Sequence, residues 1–414
     1  MLILKKIISH IVTSISACSF ARILAIFFMR YRFAATLTGK SIIFVLDEPR
    51  FREDIQILKN NTNIYYVNYP NWLQDKIIAI LEISRINSKK KWLSKFIKCL
   101  CEAIDSIGFI SAGMYYRRHE IWEVSTILAN RRFYCLHREG IGADKKTVNN
   151  SLKSQFLKAR KFYGTKLMVG TETLKELLIK INYISSDRIV VTGMPRFDKI
   201  YHYTNNKLNT VQETNTVLLF SFFISTIKNF NIKDGLYAKT GGFIELFNQV
   251  HYTVAQFAID NPKINVIIKM KWYSGNAKES VDTAIKGGTG LWPDQIGNLK
   301  VLDDIPAQKL IKESRVIIGF NSTTLIESVL YGKNVIVPSF AEASQEKYID
   351  DVFFSNKENI FYRAYSLVEL MNLITNCYHN ENKKLTIDRS FIEETVGPYD
   401  GNACLRIEGT IAHE

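Results

Sequence analysis

The feature that most constrains this chain is an alternation. Short, wholly apolar runs stop abruptly in polar residues, and helical stretches follow them. "SIIFVLDEPR" (41–50), "RRFYCLHREG" (131–140), "TKLMVGTE" (165–172) and "DRIVVTGMPRFD" (187–198) are such runs. Between them lie helical stretches such as "LKSQFLKARKFYG" and "TLKELLIKI". Strands apolar on both faces belong to parallel sheets covered by helices, and strands alternating with helices predict an α/β fold. The clearest unit is "IIGFNSTTLIESVLYGKNVIVPSF" (317–340). Its first strand ends in Asn321, Ser322, Thr323 and Thr324, a helix follows to a stop at Gly332, and Val335–Val337 begin a second strand. That βαβ unit places four small polar residues at the carboxyl end of a strand, where open α/β sheets bind ligands. A helix start there caps itself with such residues and favours an anion such as phosphate. The local motif leaves both uses open.

The alternation occurs twice. Residues 199–215, "KIYHYTNNKLNTVQETN", are polar and lack an apolar period, so they are expected to be a linker. A second series follows: "TVLLFSFF", a helix over "GGFIELFNQVHYTVAQFAIDNP" stopped by Asn-Pro, the strands "INVIIKMKW" and "NLKVLDD", and a helix starting at Pro306. "NIYYVNY" reads as a further strand of the first series, and 72–105 as helical with the basic run "NSKKKW". The expected organisation is 1–35, an N-terminal basic apolar helix; 36–205, a first Rossmann-like domain for an acceptor; and 206–414, a second for a nucleotide-linked donor, carrying the terminal helices. Two such domains facing a central cleft would place the ligand in that cleft. No GxGxxG follows the first strand and no GxxxxGK[ST] occurs, which speaks against dinucleotide and P-loop sites.

The chain has 414 residues with 54 Lys and Arg against 40 Asp and Glu, a formal charge of +14. Such a balance suits anionic substrates, an anionic membrane surface or nucleic acid. No RNA-binding, basic-zipper or zinc-finger pattern accompanies it, so nucleic acid is not expected as a partner. The six cysteines form no CxxC pair, which argues against zinc and fits a reduced, cytoplasmic setting better than a disulfide framework. The N-terminal "MLILKKIISHIVTSISACSFARILAIFFMRYRF" is apolar and basic, and Arg22 interrupts it too early for a membrane span. It reads either as a helix lying on the inner membrane surface or as a buried first helix.

At this point the residues resemble a family. "VTGMPRFD" and "NSTTLIESVLYGKNVIVPSF" look like GT-B glycosyltransferases of bacterial surface polysaccharide synthesis, the surface-carbohydrate biosynthesis proteins. "TGMPRFD" is also similar, more distantly, to the GxPRxD stretch of the CDP-glycerol glycerophosphotransferases. The resemblance spans roughly 130–345. It implies that Asn321, Ser322, Thr323 and Thr324 hold donor phosphate, with Glu327, one turn on, a candidate for ribose hydroxyls or a solvent-facing residue. Lys269 and Lys271, alternate residues at a strand end, would neutralise a diphosphate or a sugar carboxylate. Lys271-Trp272 stands where the glycerophosphotransferases carry His-Pro, a departure from a CDP-glycerol enzyme.

His137 and Glu139 end "YCLHREG" as alternate residues. The resemblance makes both candidates for the general base that deprotonates an acceptor hydroxyl, with Glu139-Gly140 closer to the surface-carbohydrate pattern. Arg196 and Asp198 would lock the joint between the domains or, for Arg196, touch donor phosphate. No metal and no cofactor are implied, and Asp303-Asp304 reads as a turn. The expected activity is transfer of a sugar from a nucleotide-activated donor to a lipid-linked or surface glycan of capsule, O-antigen or lipopolysaccharide type. A CMP-activated acidic sugar such as Kdo or a nonulosonate is preferred because of the extra lysines. A UDP-N-acetylglucosamine 2-epimerase-like enzyme, or a non-catalytic subunit of a polysaccharide assembly complex, is the alternative.

Overall fold

The computed structural model describes residues 16–412 except 47, 84–88, 114–116, 139–152, 159–160, 206–213, 223, 225–241, 271–276, 356–358 and 380–387. It contains two six-stranded sheets, every pairing parallel. The first holds β1 (Ser41–Val45), β2 (Ile64–Asn68), β3 (Ser106–Ser111), β4 (Arg132–Leu136), β5 (Lys166–Val169) and β6 (Ile189–Val191), in the order β2-β1-β3-β4-β5-β6. The second holds β7 (Thr216–Phe220), β8 (Asn265–Lys269), β9 (Leu299–Leu302), β10 (Val316–Gly319), β11 (Asn334–Pro338) and β12 (Tyr362–Ala364), in the order β12-β11-β10-β7-β8-β9. Both are doubly wound, and the order reverses between β1 and β3 and between β7 and β10. Ile42–Val45, Thr216–Phe220 and Val316–Gly319 are buried, as strands covered on both faces must be.

Several elements depart from the sequence reading. Residues 199–205 are not linker: they complete the helix Pro195–Asn205, and the rest of the expected linker falls mostly outside the described residues. The helical stretch 72–105 is two helices, Asn71–Ile83 and Lys89–Ile104. Strand β3 follows the second almost directly, through Asp105 at φ 61. In β3, Gly108 has φ 149, and a Cβ there would lie 1.9 Å from the Arg132 carbonyl oxygen, so only glycine fits against β4.

The described residues form two compact units, one from residues up to 141 with 155–199 and 396–414, the other built on 200–395. The last helix, Ala403–Ala412, therefore belongs with the first sheet, whereas the sequence reading gave it to the second domain. Asp198 anchors it, accepting the N–H groups of Ala403 (2.9 Å) and Cys404 (2.8 Å). Gly397 (φ 81) makes the return possible, since a Cβ there would overlap the Gly170 carbonyl.

The N-terminal helix Ala17–Thr38 starts at Ser16, whose hydroxyl accepts the Ser19 N–H, and stops at Gly39 in the left-handed region. It packs on Lys89–Ile104 through Phe20 against Trp92 and Phe96. Here a disulfide joins Cys18 to Cys99, with Cα atoms 5.2 Å apart. This corrects the expectation of fully reduced cysteines: helix packing pairs two residues 81 apart in sequence, which no local spacing announces. The other four cysteines are buried thiols.

Candidate functional site

The edge of the second sheet is built from "RVIIGFNSTT". Strand β10 lies beside β7, where the strand order reverses, the position at which open α/β sheets bind ligands. Beyond the strand, Phe320 is buried against Phe222 and Phe243. Asn321 then takes φ 46, a conformation that asparagine tolerates better than most residues. Its amide clamps a neighbouring loop: Nδ2 donates to the Asp351 carbonyl (2.6 Å) and Oδ1 accepts the Phe353 N–H (2.9 Å). Asn321 therefore shapes the turn, and its side chain is committed to protein.

Ser322, Thr323 and Thr324 follow. The Ser322 and Thr324 hydroxyls lie 2.8 Å apart, and Ser328 Oγ donates to the Thr324 carbonyl. The helix they open, Thr324–Leu330, is only seven residues long, so its dipole is a minor attraction for an anion. It is buried from Leu325 to Leu330, and Glu327 is buried with it, so the solvent-facing alternative for that residue does not hold.

Lys269 ends β8 but does not project freely from the sheet edge. Its Nζ donates to the carbonyls of Met270 (2.9 Å) and Asp303 (2.7 Å), stitching the ends of β8 and β9. Burial lowers its pKa, and the charges of Asp303 and Asp304 partly oppose that. Asp303-Asp304 forms the turn after β9. Lys271 lies outside the described residues. Among the described residues no group of three His, Cys, Asp or Glu is placed to hold a metal ion.

The corresponding edge of the first sheet follows β4. His137 is wholly buried, its backbone N–H donates to the Met168 carbonyl and its ring meets Phe156 edge-on. Desolvation pushes its pKa down to about 3, so the imidazole is neutral at ordinary pH and sealed from an acceptor hydroxyl in this conformation. Glu139 lies outside the described residues. Between the two, Arg138 reaches Asp54 (3.2 Å), a carboxylate with no exposed surface on the helix Glu48–Asn61. Arg196 of "PRFD" donates to both oxygens of the same carboxylate, at 3.3 and 3.0 Å. Arg196 is thus bound into the first unit by a two-pronged ion pair, and Asp198 into the terminal helix. Sequence reasoning missed Asp54. It precedes Ile55 in an unremarkable charged helix, and nothing local marks it.

No family model matches the sequence, and the search of curated proteins finds no match to it. Solved structures of similar fold exist. The UDP-GlcNAc 2-epimerase of Methanocaldococcus jannaschii aligns with 90% of this chain and 99% of its own, at TM-score 0.52 and 11% identity. That of Neisseria meningitidis, bound to UDP-GlcNAc, aligns with 91% of this chain and 100% of its own, at 0.50 and 12%. Wall teichoic acid polymerase TagF aligns over 96% of both chains, at 0.50 and 12%. At these identities the likeness concerns architecture, and with the two doubly wound parallel sheets it gives the chain the GT-B fold of two Rossmann-like domains.

Proposed function

We propose that this chain is a nucleotide-sugar enzyme, a glycosyltransferase that transfers to a lipid-linked or surface glycan. The observation that carries the reading is the polar turn Ser322–Thr324 at the point where the second sheet reverses its strand order. Backbone N–H groups and small hydroxyls at such a point suit a phosphate. The donor set narrows to Ser322, Thr323 and Thr324, with Glu327 as the carboxylate for ribose hydroxyls and Lys271 as the cation. Asn321, Lys269 and Arg196 act instead through the loops and ion pair that they hold. Glu139 is the proposed base, since His137 is sealed. For the nucleotide we put UDP before CMP: two of the three structural neighbours described above are named for UDP-GlcNAc. The same neighbours favour a second reading, a 2-epimerase of a UDP-sugar.

The experiment is a thermal-shift panel of UDP, CDP, CMP and GDP on the full chain and on Ser322→Ala/Thr323→Ala. A hundredfold excess over the dissociation constant stabilises the native state by about 2.7 kcal/mol. UDP should raise the midpoint in the native chain and much less in the variant; equal shifts in both would move the phosphate site elsewhere. UDP-GlcNAc incubated without acceptor then separates the readings. An epimerase changes the sugar at C2, visible by proton NMR, and a transferase does not. Glu139→Gln should cut turnover by about 10²–10⁴-fold with donor affinity kept. Full activity in that variant sinks the assignment of the base.

A further inference from the structure

The helix Ala17–Thr38 is built inside out. Its buried stripe is mostly alanine: Ala17, Ala21, Ala25 and Ala35, with Phe28 as the large exception. The large apolar side chains face outward, with Ile26, Phe27, Phe33 and Leu37 exposed by 69, 70, 69 and 72% and Ile23 by 51%. Small residues let the helix lie close to the domain. They leave the bulk of its apolar surface on the side where a surface helix ordinarily carries polar residues. Scattered exposed apolar residues need no explanation, but a contiguous patch does.

The charge around this patch is mostly positive, since Glu102, the exposed acid of the neighbouring helix, is paired with Arg131 at 3.5 Å. The helix carries Arg22, Arg30 and Arg32, all exposed, and no acidic residue. Arg30 is turned aside, its guanidinium 4.6 Å from the centre of the Tyr31 ring and hydrogen-bonded to the Tyr31 hydroxyl. The neighbouring helix Lys89–Ile104, joined through the Phe20 contacts and the Cys18–Cys99 bond, adds exposed Lys90, Lys91, Lys95 and Lys98. A second copy docking face to face would bring these cations together. An anionic bilayer surface matches both the apolar strip and the charge. Among the described residues no helix is long and apolar enough to cross a membrane.

We propose that the outer face of Ala17–Thr38 lies in the interfacial layer of an anionic bilayer. Ile23, Ile26, Phe27, Phe33 and Leu37 sit at the acyl boundary, and Arg22 with the lysines of the next helix lies among the headgroup phosphates. The inner alanine stripe belongs to the core, so deleting the segment would test folding, not docking; substitution on the outer face separates the two. The proposal is independent of which nucleotide the chain binds, because it is read without substrate.

The test is co-sedimentation of the full chain with vesicles of phosphatidylcholine alone or mixed with phosphatidylglycerol. The native chain should bind the mixed vesicles and not the neutral ones. Ile26→Ser/Phe27→Ser/Phe33→Ser should lose binding at least about tenfold, since each removed apolar contact counts. Lys91→Gln/Lys95→Gln/Lys98→Gln, which leaves the apolar surface intact, should lose about 100-fold at about one kcal/mol per cation. Should the serine variant misfold, the glutamine variant carries the test, with circular dichroism as its control. Equal binding to both vesicle types, unchanged binding by the glutamine variant, or a dimer that the serine variant dissociates would each overturn the proposal.

Discussion

The two sheets are wound the same way, and their carboxyl edges are finished in opposite styles. At the first, a buried carboxylate, Asp54, is gripped by Arg138 and Arg196, from the segments that follow β4 and β6. At the second, the turn after β10 is made of an amide and hydroxyls, and Lys269 spends its ammonium on two carbonyls. Topology fixes where a ligand can approach, and side chains decide what that place is for. A charge cluster under an edge costs desolvation and holds only if every partner stays. Small hydroxyls cost little to expose and can exchange water for phosphate. Among the described residues the first edge is therefore a locked framework, and the second is the one we propose as receptive.

Asp54→Ala is the strongest way to break this contrast. It removes the buried carboxylate that both arginines grip, and removing one partner of a buried pair costs about 3–5 kcal/mol. Chemical denaturation followed through the first unit should show that loss. Affinity for UDP should hold wherever the chain remains folded. If affinity falls in step with stability, the two edges are not separate in function.

Asn321→Ala gives a smaller effect and sharpens the account of the second edge. It puts a residue with a Cβ and no local hydrogen bond into the left-handed region, at about 1–2 kcal/mol, and removes two hydrogen bonds of about 1 kcal/mol each. Asn321→Gly should recover the backbone part only. The outcome expected is a graded fall in unfolding free energy, glycine between wild type and alanine, with nucleotide affinity reduced less than in Ser322→Ala/Thr323→Ala. An equal loss of affinity in the glycine variant would mean that the amide itself touches the ligand.

What the sequence revealed follows from how local each signal is. The buried strands β1, β4, β7, β8 and β10 are visible because apolar on both faces is a property of a few consecutive residues. Strand β3 is hidden by its lack of a preceding turn signal: the helix Lys89–Ile104 runs into it through a single left-handed aspartate. Strand β12 has three residues, one of them a buried arginine whose Nη1 donates to Ser339 Oγ, so no apolar run marks it. The polar turn after β10 could be read, but the division of labour inside it could not. That Asn321 faces Asp351 and Phe353 depends on a loop 30 residues away. Asp198 was visible as a motif, and its task, capping a helix 205 residues on, was not.

The smallest effect is a difference in acid response. Among the described residues, His137 in the first unit and His251 in the second have no exposed surface. Desolvation pulls His137 down to about 3 and His251 to about 4, the latter opposed by its hydrogen bond to the Phe247 carbonyl. His251 Nδ1 lies 2.6 Å from that carbonyl and so donates to it, which leaves Nε2 to accept from Ser221 Oγ–H at 2.9 Å. Both rings are neutral in the native state. Their folded pKa values lie below the unfolded value of about 6.5, so the unfolded chain binds the extra protons. Stability is complete above about pH 6.5 and declines as pH falls toward 4 for His251 and 3 for His137. Each histidine adds a slope of about 1.4 kcal/mol per pH unit in that window. His137→Phe removes the titrating nitrogens and keeps an aromatic ring beside Phe156. It should flatten the decline between pH 6 and 4.5 by one proton's worth, read from urea unfolding at a series of pH values. An unaltered slope would mean that solvent reaches and protonates His137 in the native chain. That result would return the imidazole to contention with Glu139 as the base, and the first edge could no longer be treated as a locked framework.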